Sequence, residues 1–261
     1  MLPRWSPSPV AGDASVRLMS SREPLAPHPE PDEVSRRVRL ARSFNTEQAL
    51  SLPRPRTRGW FHLAAAVVSV PGAVVWIVTV TPGARLGVAA FALGVATMFT
   101  CSALLHRRRW TAHTYERLFR LDHTGIFLAI GGTGLGLALL GFEGTPAAVV
   151  GVTSVAGAVI GIAAEWLPFA PPRGLANAVY LTLGWSPVLL LPWLWSSAGA
   201  ATVVLLLAGG VLYTVGAVVV GLRRPDPAPE VLGYHELFHL LVIAAAVVHA
   251  VMIGDLAARS G

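Results

Sequence analysis

The sequence predicts an all-α integral membrane protein, a bundle of seven transmembrane helices with the amino terminus in the cytoplasm and the carboxyl terminus outside. Three observations predict this fold. Charged residues make up only 13% of the 261 residues, against about 25% in soluble domains, while hydrophobic residues make up 54%. From Trp60 onward, apolar runs of helix-spanning length recur between short polar breaks. Finally, the arginines are concentrated in the segments that would lie on one side of the membrane.

Each predicted span is close to the roughly 20 residues that a helix needs to cross the hydrocarbon core. The spans lie at 62–82, 86–105, 122–141, 146–165, 177–195, 199–221 and 235–254. The third and fourth are rich in glycine, which lets membrane helices pack closely. We therefore divide the chain into a disordered basic cytoplasmic arm at 1–58, a membrane domain at 59–256 and a short tail at 257–261.

The placement of arginines predicts the direction of insertion. With the amino terminus inside, Arg85 and Arg259 lie outside, and all other arginines near the membrane lie in cytoplasmic segments. Twelve arginines form this cytoplasmic set: Arg42, Arg54, Arg56, Arg58, Arg107, Arg108, Arg109, Arg117, Arg120, Arg173, Arg223 and Arg224. We expect a multi-pass protein of the inner cell membrane, in contact with membrane lipids.

The basic composition, with a pI near 10.6, does not indicate nucleic-acid binding, because the arginines flank hydrophobic segments. Cys101 is the single cysteine, which excludes an internal disulfide and a cysteine-rich metal cluster.

Four polar side chains are predicted to meet at the cytoplasmic end of the bundle. His106 ends the second span, Asp122 begins the third, and His235 and His239 begin the seventh. Polar groups in a membrane are costly and are therefore candidates for function. His235 and His239 share one helix face, and a third imidazole from His106 would complete the three protein ligands of a catalytic zinc, leaving a fourth position for water.

Two residues beside these ligands could carry chemistry. The hydroxyl of Ser102, one helical turn before His106, could reach the bound water or a carbonyl oxygen next to the metal. Asp122 could orient that water or take its proton. The alternatives are structural: Ser102 could bond to its own helix backbone, and Asp122 could cap the third helix or pair with an arginine of the preceding loop.

The remaining histidines are assigned no part in the metal site. His62 stands beside interfacial aromatic residues in "RGWFH", and we assign it to anchoring. His249 lies about 15 Å along the helix axis from His239, too far to share its metal, and is assigned to packing or a polar contact behind the ligands. Three others are assigned to the membrane interface: His28, His113 and His123.

The start of the seventh span also permits another interpretation. Residues 235–239 have the form H-E-x-x-H, the signature of zinc metalloproteases, in which Glu236 would be the general base. An intramembrane metalloprotease is therefore one alternative.

Three motifs carry a family resemblance: "SALLH" at the end of the second span, "RLDHTGIFLAIGGT" at the start of the third and "GYHELFHLLV" at the start of the seventh. "RPRTRGWFH" and "LGWSPVLLLPW" support it. Over roughly residues 53–254 the sequence resembles the hemolysin III family, the bacterial branch of the progestin and adipoQ receptor superfamily. The order and spacing of the motifs agree with that family.

The resemblance implies a seven-helix bundle and a zinc ion held by three histidines, which match His106, His235 and His239. Ser102 and Asp122 match positions that family members place near the zinc-bound water. Alkaline ceramidases share this pattern, so the resemblance implies hydrolysis of a lipid amide or ester. Many bacterial relatives continue the third span with threonine-tyrosine-threonine-proline where this chain reads "GGTGLGLAL", so the shape of the substrate is not implied.

A non-enzymatic function is the other alternative. The family name implies membrane permeabilisation, and eukaryotic relatives are receptors, so the zinc could be structural. A pore would need a continuous polar lining, whereas the third span between His123 and Glu143 consists of glycine, threonine and apolar residues. This composition disfavours a monomeric channel.

Overall fold

The computed structural model describes residues 46–47, 50–51, 54–167 and 175–260, and this part of the chain is helical. It contains no β-strand, only an isolated bridge between Ala228 and Leu232. The helices are α1 (Trp60–Thr79), α2 (Arg85–Arg107), α3 (Ala112–Gly141), α4 (Gly144–Trp166), α5 (Leu175–Trp185), a 3-10 turn (Ser186–Leu190), α6 (Leu191–Leu222) and α7 (Tyr234–Arg259). The all-α prediction is confirmed.

Within the described ranges, 6 helical segments are long and apolar enough to cross a membrane. Helices α1, α2, α3, α4 and α7 each form one, and the 48 residues from Leu175 to Leu222 form the other. That long segment contains both the fifth and the sixth predicted spans. It is interrupted at the 3-10 turn and again at Gly199, whose φ of 82° is not helical. The chain is a multi-pass membrane protein, and the count of seven stays a prediction.

Contacts between helix termini define two ends of the bundle. We call the end at which α2 ends and α7 begins the histidine end. At the opposite end, the Ser197 hydroxyl donates to the Gly141 carbonyl over 2.6 Å, and Arg259 donates to the Ala198 carbonyl over 2.7 Å. The middle of the segment Leu175–Leu222 therefore lies far from the histidine end.

Helices α2 and α3 approach each other through glycines. A Cβ added at Gly94 would lie 2.4 Å from the Leu128 carbonyl oxygen, and one at Gly132 would lie 2.2 Å from the Ala90 carbonyl oxygen. Such backbone contact requires residues without side chains. The close packing holds the end of α2, with Ser102 and His106, against the first half of α3.

Two helix boundaries differ from the predicted spans. Helix α3 begins at Ala112 rather than at 122, with the Thr111 side chain accepting a hydrogen bond from the Thr114 amide as N-cap. Hydropathy marks where a helix enters the membrane, whereas capping and backbone bonds determine where it starts. Helix α7 likewise continues to Arg259, through most of the predicted tail. Most of the predicted arm falls outside the described residues.

Candidate metal centre

Three imidazoles converge at the histidine end. The Nε2 atoms of His106 and His235 are 3.3 Å apart, and the His239 ring centroid lies 5.1 Å from that of His106 and 4.5 Å from that of His235. One ligand nitrogen from each residue lies within 4.8 Å of the other two. His235 and His239 meet because they are one turn apart on α7, and His106 joins them from the last turn of α2.

The donor set fits zinc. With Zn–N bonds of about 2.0–2.1 Å, two nitrogens of a tetrahedral site lie about 3.3 Å apart. The separation of the His106 and His235 Nε2 atoms is 3.3 Å. Imidazole nitrogens that face each other at this distance suit a shared cation, and imidazole is a preferred ligand of zinc. We call His106, His235 and His239 the histidine triad.

Asp122 lies beside the triad. Its Oδ2 atom is 3.8 Å from His106 Nε2, and the residue is only 9% exposed. It sits well inside α3 and therefore cannot cap that helix. No described arginine forms an ion pair with it. The distance to His106 is longer than a hydrogen bond, so the carboxylate lies near the triad without being bound to it.

Ser102 is buried on α2, one turn before His106. Hydroxyls elsewhere in these helices bond back to their own backbone: Thr100 donates to Ala96 and Thr133 to Ala129, each over 2.7 Å. In the described part of the chain the Ser102 hydroxyl has no such bond. It therefore stays available on the wall of the cavity described below.

His62 is the residue that the sequence analysis missed. It is 3% exposed, and its ring stacks on that of His239 with centroids 3.8 Å apart. The predicted anchoring role is wrong for His62, although it suits Trp60, which is 50% exposed. Two residues correspond to about 200° around a helix, so His62 points inward when Trp60 points outward. That phase difference is visible in the sequence, but it does not say which of the two residues faces the bundle.

The other histidines lie apart from the triad. His249 is buried deeper along α7, and its Nε2 atom approaches the Leu206 carbonyl oxygen at 3.3 Å, which agrees with a packing role. His123 lies 2.9 Å from the carbonyl oxygen of Phe119 through its Nδ1 atom, and His113 is exposed. His28 falls outside the described residues.

Both carboxylate oxygens of Glu236 are held by hydrogen bonds. Its Oε1 atom accepts a hydrogen bond from Arg58, and its Oε2 atom accepts one from the Gly233 amide over 3.1 Å. The second bond closes the first turn of α7 in the way that the glutamate of a capping box does, although Gly233 has no side chain to supply the reciprocal bond. The carboxylate is fully buried and does not line the cavity. Its contacts are those of a structural residue.

The segment 54–58, here called the strap, holds the end of α2. The Arg54 guanidinium donates to the carbonyl oxygens of His106 and of Arg108, the latter over 2.7 Å. Gly59 follows the strap with a φ of 76°, and a Cβ there would lie 2.7 Å from the His106 carbonyl carbon. The Arg54 side chain and the Gly59 backbone therefore both contact the His106 backbone and hold it in position.

A cavity of about 750 Å³ extends from the triad into the bundle. Its wall is polar at the histidine end, where it includes Ser102, His106, Asp122, His235 and His239. Further in, the wall is largely apolar, with Met98, Ile130, Leu137, Leu206 and Val242. The volume is in the range of cavities that bind small molecules, and the distribution of polarity suits a ligand with a polar head and an apolar chain.

A model of haemolysin-III related proteins matches residues 50–250 of this chain. The chain belongs to the haemolysin III-related family. An adiponectin receptor protein of Drosophila melanogaster is 28% identical over 219 residues, which cover 76% of this chain and 49% of the fly protein. Hemolysin-3 of Bacillus cereus is 29% identical over 168 residues, which cover 60% of this chain and 73% of the bacterial protein.

The haemolysin III-related chain thus spans about half the length of its fly relative. The two relatives carry the names of the bacterial family and of the receptor branch of one superfamily. The family prediction made from the three motifs is confirmed.

Proposed function

We propose that this haemolysin III-related protein is a zinc-dependent membrane hydrolase that cleaves a lipid amide or ester. The observation that carries the proposal is the position of the Asp122 carboxylate, 3.8 Å from the triad nitrogen of His106, at the polar end of an otherwise largely apolar cavity. A zinc ion with a purely structural role would not explain why a carboxylate is buried next to it.

The triad residues would hold the ion, which when bound supplies a Lewis acid that activates water and polarises a carbonyl. Asp122 takes the proton of the attacking water and returns it to the leaving amine or alcohol as the acyl bond breaks. The Ser102 hydroxyl donates to the carbonyl oxygen as negative charge develops there. The apolar wall beyond binds the acyl chain and keeps bulk water away from the reacting carbonyl.

The contacts of Glu236 disfavour the metalloprotease alternative. A general base must reach the attacking water, directly or through one other water. Both oxygens of Glu236 are engaged, by Arg58 and by the Gly233 amide. A permeabilising function is disfavoured by the inner wall of the cavity, which is largely apolar.

We further propose seven crossings in the inner membrane, within a membrane domain at 59–256 that follows a cytoplasmic arm. A straight helix of the 48 residues from Leu175 to Leu222 would measure about 72 Å, more than twice the hydrocarbon core of about 30 Å. Support for two crossings comes from its contacts: a Cβ at Gly221 would lie 3.8 Å from Asn177 Nδ2, while Ser197 bonds to Gly141 at the opposite end. The arginines around the triad support a cytoplasmic histidine end.

The test measures zinc content and lipid hydrolysis on protein purified in detergent without chelator. We expect about one zinc per chain in the wild type and in Asp122→Asn, and none in His235→Ala/His239→Ala. Lipid amides and esters should be cleaved by the wild type and at least a hundredfold more slowly by Asp122→Asn. His113→Ala, which changes an exposed histidine, is the matched control and should behave as wild type. Absence of zinc from the wild type, or full turnover by Asp122→Asn, would refute the proposal.

A further inference from the structure

Arginines surround the cavity where it opens at the histidine end. Four of them line it: Arg54, Arg58, Arg108 and Arg109. Two belong to the strap, and two follow the end of α2. We call this group the arginine mouth.

The positive charge of the arginine mouth is only partly compensated. Arg58 pairs with Glu236. Arg54 donates to backbone carbonyls, which leave its full charge in place. Arg108 and Arg109 form no ion pair within the described part of the chain. Three of the four guanidinium groups therefore have no carboxylate partner there.

The arginines also repel one another. Burial lowers the pKa of Arg54, and the neighbouring charges of Arg58, Arg109 and Arg107 lower it further, which the charge of Glu236 offsets only in part. Like charges held together in this way destabilise the protein until an anion joins them, and guanidinium groups bind phosphate oxygens in pairs of hydrogen bonds. Two carboxylates share the cavity wall with these arginines: Asp122 beside the triad, and Asp226, which accepts a hydrogen bond from the Tyr234 amide over 2.9 Å. Neither forms an ion pair with an arginine among the described residues.

The general excess of arginine on a cytoplasmic face does not account for this arrangement. Arg117 is exposed on the first turns of α3 and does not line the cavity. Arg120 donates instead to the Trp166 carbonyl over 3.3 Å. Orientation in the membrane needs positive charge in these segments, but it does not need the charge to face the cavity.

The arginine mouth adjoins the triad. Arg108 and Arg109 follow His106 by two and three residues, and Arg54 bonds to the His106 carbonyl. An anionic group bound there would lie only a few bonds from an acyl carbonyl at the triad. The acyl chain would continue into the apolar part of the cavity.

We infer that the substrate is an anionic lipid, an amide or ester of a long acyl chain whose headgroup carries a phosphate, and that the arginine mouth binds this headgroup. The inference rests on the proposed hydrolase function for its reaction. Binding of the headgroup is nevertheless measurable without turnover, so the two proposals can fail separately.

The experiment uses ether lipids, which the hydrolase would not cleave, and the wild-type protein in non-ionic detergent. Affinity is measured for an alkyl glycerol phosphate, for the neutral alkyl glycerol of the same chain length, and for glycerol phosphate without a chain. We expect the alkyl glycerol phosphate to bind at least tenfold more tightly than either of the others. Arg108→Gln/Arg109→Gln should abolish the preference for the phosphate.

The matched control is Arg117→Gln/Arg224→Gln, which removes the same charge from exposed positions outside the cavity and should keep the preference. The ratio of the two lipid affinities within one protein does not depend on how much of that protein is folded. Equal affinity for both lipids, or a preference that survives in Arg108→Gln/Arg109→Gln, would overturn the inference. So would glycerol phosphate binding as tightly as the lipid, because the site would then bind a free phosphate compound.

Cleavage measurements separate the two proposals. Turnover of neutral lipids with no phosphate preference would overturn the headgroup inference and keep the hydrolase. A phosphate preference without turnover of any lipid would refute the hydrolase and keep the arginine mouth as a binding site.

Discussion

The imidazole of His62 lies flat on that of His239, with ring centroids 3.8 Å apart and planes 13° from parallel. Neither His62 nitrogen has a hydrogen-bond partner among the described residues, so the contact is one of ring faces. A residue of the first helix thereby fixes the orientation of a candidate ligand on the last.

The first prediction follows from this stacking. His62→Ala should weaken zinc binding about tenfold, the lower end of what is lost when a residue that orients a ligand is removed. His62→Phe preserves a flat ring against His239 and should retain most of the affinity. Competition with a chelator of known zinc affinity measures both. Wild-type affinity in His62→Ala would show that stacking does not orient His239.

A second prediction concerns the contact between Gly59 and the end of α2. Gly59→Ala places a methyl group 2.7 Å from the His106 carbonyl carbon and forces alanine into a left-handed conformation that costs about 1–2 kcal/mol. His106 should shift, so zinc content and thermal stability should both fall. Gly72→Ala is the control, because a Cβ there meets nothing within 4 Å, and it should be neutral or stabilising. Equal behaviour of the two variants would contradict this account.

A third prediction concerns the pair of Arg58 and Glu236. Arg58→Gln leaves a fully buried carboxylate without its partner, a change that costs about 3 kcal/mol, so the midpoint of thermal unfolding should fall. Glu236→Gln should cost less, because the amide oxygen can still accept from the Gly233 amide. In the double variant the losses should not add, since the two residues act as a pair.

The same variants bear on the reaction. Glu236→Gln should retain hydrolysis in proportion to its folded fraction, whereas Asp122→Asn should lose it. The reverse result would favour the metalloprotease interpretation.

A fourth prediction tests the path of the chain through the membrane. In a Cys101→Ser background, Ser196→Cys and Ser260→Cys should react with an impermeant maleimide in intact cells. Glu230→Cys should react only after permeabilisation. Failure of Ser196→Cys to react in intact cells would count against two crossings between Leu175 and Leu222. An inverted pattern would reverse the orientation.

The convergence of the triad was predictable because two independent signals in the sequence agree. The spacing of His235 and His239 places both on one helix face. The arginine distribution places His106 at the same side of the membrane. Neither signal depends on how the helices are arranged around the bundle axis.

The contacts of His62 and Glu236 were not predictable in the same way. Whether His62 faces the bundle depends on which side of α1 is buried, and that is decided by packing against other helices. The bond between Arg58 and Glu236 joins residues 178 positions apart, so no local pattern encodes it. The H-E-x-x-H motif by itself predicted a catalytic role for Glu236, whereas its bond to the Gly233 amide explains why a glutamate stands three residues after this glycine at the start of α7.

The distance along the chain between the triad residues has a consequence for biosynthesis. His106 precedes His235 by 129 residues, and a ribosome needs on the order of ten seconds to translate such a stretch. During that interval the growing chain contains His62 and His106 but not yet the other two residues of the triad, His235 and His239. A metal ion bound by the triad would therefore be held only after the last helix has entered the membrane and packed against the strap. Loading with the ion would therefore distinguish completed chains from truncated ones.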